Sequence, residues 1–246
     1  MTLLLKTAAA AMAALALAGC QRADDAAFGE RVRSYLLEHP EVLEEASNAL
    51  YAKKQAELAK ASAAAIDKHR ARLERDPRDL VVNPDGKVTV VEFFDYRCGY
   101  CKTVAPEVVE LVRKDPEVRF VMKEWPMFGG ISETAARVML TPQARPKGLE
   151  LHSRLMNERA LTDATLDRHL QELGIDPAAA RAAARDPAIT RQLQDTDALR
   201  SALGIQGTPA FVVGDVMIPG ADPEALKAAI VQAKAGGGLK RPGKPT

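Results

Sequence analysis

The sequence is poor in aromatic residues and balanced in charge, and both properties exclude classes of function. Only 4% of its 246 residues are Phe, Trp or Tyr, which leaves little material for stacking on nucleobases. Lys and Arg number 34 against 33 Asp and Glu, so no net field attracts the chain to nucleic acid or acidic lipid. We therefore expect no nucleic-acid partner. The 246 residues are enough for one sizeable domain with an accessory segment or a small second domain, and 47% of them are hydrophobic, so a proper core can form.

Cysteine is also scarce. The chain has three: Cys20, Cys98 and Cys101. An apolar, alanine-rich run over residues 7–18 follows Lys6, and it is too short to span a bilayer but typical of a secretory signal peptide. The run ends in Leu-Ala-Gly-Cys at 17–20, which resembles a bacterial lipobox. We predict a signal peptide over 1–19 and lipidation of Cys20; the alternative is an ordinary signal peptide, with Cys20 incidental.

Both alternatives place the mature protein outside the cytoplasm, where disulfides form and persist. The expected location is the periplasm, with the lipid on Cys20 as the only attachment to a membrane surface. With Cys20 acylated, two free thiols remain, three residues apart.

Residues 20–78 are predicted to form a polar tether and a helical arm. Two helices, 28–38 and 41–75, are expected, and the second contains no Gly or Pro. Alternating steps of three and four over 42–73 give ten positions, of which eight are apolar, mostly alanine. This pattern predicts self-association through 40–75 along a narrow seam. The alternative is a solvated helix in which alanine is simply abundant.

Strands and helices alternate over residues 79–235, which are predicted to be the main domain. The run at 87–94 is β-branched and nearly continuous, as in a strand buried on both faces. Cys98 follows four residues later and begins a predicted helix, and residues 118–122 form the next predicted strand. The result is a right-handed strand–helix–strand unit with parallel strands.

The remainder of this domain is predicted to be mostly helical. Residues 132–203 have a helical pattern, and Gly-Thr-Pro at 207–209 leads into a strand at 210–213. The Gly-, Pro- and Lys-rich tail, 236–246, is predicted to be disordered.

The spacing of Cys98 and Cys101 indicates redox chemistry. Residues at i and i+3 lie on one face of a helix, and the first of this pair is at the helix N-terminus, where unpaired N–H groups stabilise an anion. A thiolate at Cys98 can attack a disulfide, and Cys101, one turn further in, can resolve the mixed disulfide. No second cysteine pair completes a zinc site, and a three-residue link constrains an unfolded chain too little to be a useful structural disulfide.

Two segments resemble a known family. VEFFDYRCGYCK at 91–102 resembles the active-site strand and helix of the DsbA-like branch of the thioredoxin superfamily, and GTPAF at 207–211 resembles its cis-proline loop. The helical segment between them resembles the family's helical insertion, and residues 28–75 resemble the N-terminal region of its ScsC-like subset. The resemblance implies an α/β thioredoxin fold with a helical insertion, preceded by an N-terminal helical arm, and no cofactor or metal.

The resemblance also implies roles for individual residues. Pro209, if its peptide bond is cis, would place the backbone of Thr208 beside Cys98, where it can pair with an extended substrate. A trans proline opening an edge strand is the alternative. Gly99 and Tyr100 would tune the stability of the thiolate and hence the redox potential.

Glu92 interrupts the apolar strand six residues before Cys98. The resemblance places an acid at this position, and a buried carboxyl with a raised pKa could relay the proton of Cys101. An outward-facing strand residue is the alternative. Lys123, at the end of the next strand, is a possible partner of Glu92.

These inferences predict a thiol–disulfide oxidoreductase that acts on exported cysteine-containing proteins and exchanges electrons with a membrane partner. Its direction stays open between a disulfide-donating oxidase and an isomerase or reductase. The arm, the Gly-Tyr dipeptide and the Thr before Pro209 favour the isomerase side. A protein that holds Cu(I) on the same two thiols is the alternative from another class.

Overall fold

The computed structural model describes residues 27–236. The predicted signal peptide, the lipobox with Cys20 and the tail from 237 onward lie outside this range. The chain divides into two compact units between Glu57 and Leu58. Across the described part of the chain, no helix combines the length and the apolar character that a membrane span requires.

The first unit is helical. It contains α1 (27–38) and the N-terminal half of α2 (Glu41–Glu74), whose first turn carries the acidic Glu41 and Glu44, as the helix dipole favours. Several large apolar side chains of these helices are exposed: Phe28, Tyr35, Leu37, Leu43, Leu50 and Tyr51. The helices predicted at 28–38 and 41–75 are confirmed almost to the residue.

The second unit is built on a five-stranded sheet in the order β1-β3-β2-β4-β5. Its strands are β1 (Leu80–Val82), β2 (Val88–Phe94), β3 (Val118–Glu124), β4 (Ala210–Val213) and β5 (Val216–Pro219). The central pair, β2 and β3, is parallel, and all other neighbours are antiparallel. Because β2 has neighbours on both sides and helices over both faces, its near-continuous apolar sequence is what a central strand requires.

Helices connect the strands. They are α3 (Gly99–Lys114), α4 (Ile131–Met139), α5 (Gly148–Asn157), α6 (Asp163–Glu172), α7 (Pro177–Ala183), α8 (Pro187–Ala202) and α9 (Pro223–Lys234), with a short 3₁₀ helix at Arg145–Lys147. The helices α4 to α8 are inserted between β3 and β4, close to the predicted 132–203. The predicted α/β fold with a helical insertion is confirmed.

The two faces of the sheet bury separate clusters. On one face, alternate residues of β2 such as Val90 and Phe94 pack with side chains of α3, α5 and α9. On the other face, Phe93 packs with Ile66 of α2 and with Leu199 of α8. The C-terminal turns of α2 therefore belong to the hydrophobic core of the second unit, although the predicted boundary between arm and domain lies later, at 78/79.

The C-terminal end of α2 is anchored by buried polar groups. The ammonium group of Lys123 forms a fully buried ion pair with Asp79 and donates to the carbonyl oxygen of Arg72 over 2.7 Å. The expectation that Lys123 partners Glu92 is wrong, because adjacent strand positions point to opposite faces. Lys123 lies opposite Phe93 in the sheet and shares that residue's face, whereas Glu92 points to the other.

Candidate active site

Cys98 is the N-cap residue of α3. The turn after β2 positions it, since its N–H donates to the carbonyl of Asp95 over 3.1 Å. Its Sγ lies 3.5 Å from the backbone N of Cys101, which donates to it, and 3.2 Å from the carbonyl oxygen of Thr208. Unpaired N–H groups and the helix dipole stabilise a thiolate at such a position.

Cys101 lies one helical turn further along and is less accessible. It is fully buried, whereas Cys98 is 5% exposed, and both are free thiols. Burial raises the pKa of Cys101, and the nearby charge of Glu92 raises it further. The raised pKa favours the protonated thiol at Cys101, and of the two cysteines Cys98 is the more exposed.

The loop before β4 lies against Cys98. The Thr208–Pro209 peptide bond is cis, in agreement with the prediction, and the carbonyl of Pro209 accepts a 2.8 Å hydrogen bond from the N–H of Gly220. The carbonyl oxygen of Thr208 is the one that accepts from the thiol of Cys98. The main chain of the cis-proline loop thus lies beside the more exposed of the two cysteines.

Glu92 lies in the middle of β2, between Met122 of β3 and Phe211 of β4. It is buried rather than outward-facing, and its Oε2 has no hydrogen-bond partner. Burial raises the pKa of Glu92 to about 8. A carboxyl whose pKa lies this close to neutrality, on the face covered by α3, is able to accept a proton from a thiol beside it.

Three buried polar residues near the cysteines were missed from the sequence. Asp95 accepts hydrogen bonds from the backbone N of Arg97 at 2.6 Å, the backbone N of Phe128 at 3.1 Å and the hydroxyl of Ser132 at 2.7 Å. These bonds tie the turn before Cys98 to the loop after β3 and to the first turn of α4. The Asp inside FFDYRC was the available signal, because an acid between buried aromatics needs donors.

Tyr96 and Glu124 are the other two buried polar residues near the cysteines that were missed from the sequence. The hydroxyl of Tyr96 donates to Oε1 of Glu124 over 2.9 Å, and both side chains are buried. The ring of His152 packs edge-on against Tyr96, and burial lowers the pKa of His152 to about 3, so it is neutral near pH 7. The signal for Glu124 was an acid at the end of a predicted buried strand, two places beyond the residue opposite Glu92.

The surface around Cys98 is partly apolar. Tyr100 is 72% exposed, and Met127 and Phe128 of the loop after β3 are also exposed. The hydroxyl of Thr208 lies 3.4 Å from the sulfur of Met127. A Cβ at Gly99 would meet no atom within 4 Å, so packing does not demand glycine there. The tuning roles of Gly99 and Tyr100 stay predictions.

Within residues 27–236, no three His, Cys, Asp or Glu side chains are grouped as metal ligands. A vicinal dithiol at a helix N-terminus, beside a cis-proline loop and above a buried acid, defines a thiol–disulfide exchange protein built on a thioredoxin fold.

The family follows from comparison with known proteins. Residues 89–231 match the DSBA-like thioredoxin domain, and residues 24–57 match the N-terminal domain of the copper resistance protein ScsC. The chain belongs to the DSBA-like thioredoxin family. The second match ends at residue 57, where the first structural unit also ends.

Solved structures agree with this assignment. BcfH of Salmonella enterica Typhimurium is 33% identical, with 84% of this chain and 94% of that chain covered and a TM-score of 0.69. A periplasmic thioredoxin-like protein from the same organism is 34% identical, with 68% and 95% covered and a TM-score of 0.62.

Curated relatives include the thiol:disulfide interchange protein DsbA of Bordetella pertussis. It is 27% identical over 136 residues, which are 52% of this chain and 64% of that protein. The chain spans less than two thirds of the length of the first curated relatives it matches.

Proposed function

We propose that this chain exchanges disulfides with exported proteins outside the cytoplasm, with Cys98 as the attacking and Cys101 as the resolving cysteine. The observation that carries the proposal is the arrangement of three groups around one sulfur. The Sγ of Cys98 lies at a helix N-terminus, 3.2 Å from the Thr208 carbonyl, while Cys101 is buried behind it.

The geometry supports two chemical steps. The Cys98 thiolate attacks one sulfur of a substrate disulfide, so that a mixed disulfide forms and the other substrate sulfur leaves as a thiolate. Cys101 then gives its proton to Glu92 and attacks the Cys98 sulfur, which forms the Cys98–Cys101 disulfide and releases the second substrate thiolate. Exchange with the dithiol of a membrane thiol–disulfide partner, which supplies two electrons and two protons and becomes a disulfide itself, restores the Cys98–Cys101 dithiol.

We favour the isomerase or reductase direction over disulfide donation. The match to the ScsC N-terminal domain at 24–57 and the exposed apolar side chains of residues 27–57 support self-association of this segment. An assembly of several copies would hold a misfolded substrate between more than one active site. Deletion of residues 21–57 should therefore convert an oligomer to a monomer in sedimentation, and a monomeric full-length protein would contradict this part of the proposal.

The proposed location is the periplasm, with the mature protein anchored through a lipid on Cys20. Its support is the run at 7–18 followed by the lipobox-like 17–20. Mass spectrometry of the mature N-terminus tests it: a diacylglyceryl-modified Cys20 is expected, and an unmodified N-terminus cut near residue 18 would remove the anchor.

The exchange reaction is tested by single cysteine variants. Cys98→Ser should abolish both insulin reduction and refolding of scrambled ribonuclease. Cys101→Ser should accumulate mixed disulfides that gel electrophoresis without reductant reveals, since the second step is lost. Exchange activity that survives in Cys98→Ser would overturn the assignment. The equilibrium potential of the pair against glutathione separates the directions, because a strongly oxidising value would identify an oxidase.

A further inference from the structure

The face of the sheet beneath α3 holds a second buried carboxyl that the proposed reaction does not use. Glu124 is the last residue of β3, and in the parallel register it lies opposite Phe94, just as Met122 lies opposite Glu92. Residues two apart on a strand share a face. The two acids therefore occupy neighbouring positions on the side of the sheet that faces Cys101.

Within the described residues, no buried cation accompanies these acids. The buried Lys123 lies on the opposite face in its ion pair with Asp79. Lys102 directs its ammonium group to two main-chain carbonyls at the C-terminal end of α5. His152 is neutral near pH 7 because burial lowers its pKa to about 3. Asp79, which directly precedes β1, is paired with a lysine, whereas Glu92 and Glu124 are not.

Two like charges in this space are unfavourable together. Burial raises the pKa of Glu124 well above the ordinary carboxyl value, and the charges of Asp95 and Glu92 raise it further, while the bond from Tyr96 opposes the shift. Buried acids that interact in this way ionise in coupled steps. The titratable groups that face this space are Glu92, Asp95, Tyr96, Cys98, Cys101, Lys102, Glu124 and His152.

We propose that Glu124 is a positioning residue of the disulfide site, which competes with Glu92 for a single negative charge. Only molecules with the charge on Glu92 can take the proton of Cys101. Tyr96 donates a hydrogen bond to Glu124 and so lowers the cost of a charge there, and whenever Glu124 holds the charge, Glu92 stays protonated. The pair thus sets the fraction of molecules in which Cys101 can resolve a mixed disulfide. The inference rests on the proposed function and adds a control of its second step.

The competition predicts that removal of the charge of Glu124 speeds the second step of the exchange rather than slowing it. Glu124→Gln keeps the shape and the acceptor for Tyr96 but removes the competing charge, so Glu92 should ionise at lower pH. Tyr96→Phe should act in the same direction and more weakly, since it removes the donor that favours the charge on Glu124. Glu110→Gln is the matched control, because it removes the same charge from the exposed outer side of α3.

A model disulfide with two different thiol leaving groups separates the two steps in a stopped-flow experiment. Attack by Cys98 releases the first thiol, and attack by Cys101 releases the second. Between pH 5 and pH 9, Glu124→Gln should move the midpoint of the second phase down by about one pH unit and speed that phase several-fold near pH 6. Glu110→Gln should leave both phases unchanged.

The outcomes distinguish this inference from the proposed function. A wild-type protein without a first phase would refute the exchange reaction itself. A normal first phase with the same second-phase midpoint in Glu124→Gln would overturn only the role of Glu124. Should Glu124→Gln fail to fold, Tyr96→Phe and carbon-13 NMR of the glutamate carboxyls in the reduced wild type supply the test. Two coupled titrations are expected there, and independent titrations of the two acids would overturn the inference.

Discussion

Replacement of Glu92 by glutamine should change how the stability of the reduced protein depends on pH. The pKa of Glu92 is raised from 4.5 to about 8 by burial, so the folded chain binds this proton more tightly than the unfolded chain does. The folded state therefore keeps its full stability below about pH 4.5 and loses stability as the pH rises through 8. Glutamine has no proton to lose and removes this dependence.

The size of the effect follows from the width of the pH window. One pH unit between the two pKa values corresponds to about 1.4 kcal/mol, so from pH 5 to pH 8 the wild type should lose about 3 kcal/mol relative to Glu92→Gln. The comparison across pH matters more than any single value, because a buried amide without partners has its own cost of about 1 to 3 kcal/mol at every pH.

Urea unfolding of both proteins, followed by circular dichroism with the thiols kept reduced, measures the difference. Curves of unfolding free energy against pH that run parallel for the two proteins would refute a raised pKa at Glu92. They would also remove the proposed acceptor for the proton of Cys101. Glu110→Gln, an exposed position on α3, should run parallel to the wild type and exclude an effect of net charge.

Further predictions concern the second face of the sheet and the thiol face. Lys123→Met should destabilise the protein by about 3 to 5 kcal/mol in urea unfolding, because it leaves the buried carboxyl of Asp79 without its cation. Ile66→Ala should cost about 2 to 5 kcal/mol, since Ile66 is fully buried, whereas truncation of the exposed Leu58 should cost little. His152→Phe should be neutral or stabilising, because the buried Nδ1 of His152 has no partner to lose. A strong destabilisation by His152→Phe, or none by Lys123→Met, would contradict the packing described.

The elements around the cysteines could be predicted because their signals are local. A nearly continuous β-branched run predicts β2 at 87–94, and the strand lies at Val88–Phe94. A stretch without Gly or Pro predicts α2 at 41–75, and the helix lies at Glu41–Glu74. The end of β3 was placed two residues early, because Lys123 and Glu124 are polar and only their buried partners make them strand residues.

Partners across the fold could not be predicted from local pattern. The seam predicted along α2 includes Ile66 and Leu73, which pack against the sheet of the same chain rather than remaining exposed. A repeat of three and four residues shows that a helix has an apolar side but not what covers it. Likewise, Lys123 pairs with Asp79 rather than Glu92. Successive side chains of a strand point to opposite faces of the sheet, so a difference of one residue in the register decides which face a side chain reaches.

Trp125, the single tryptophan of the chain, is an intrinsic fluorescent probe. Trp125 follows β3, donates through Nε1 to Asp197 over 3.1 Å and lies under the guanidinium of Arg200, 4.7 Å from its ring centroid. Its fluorescence therefore monitors the seating of α8 on the sheet, on the face away from Glu92. Circular dichroism averages over all helices, whereas the fluorescence of Trp125 reports on α8. Thermal unfolding curves from the two methods that do not coincide would therefore identify α8 as a segment that unfolds locally.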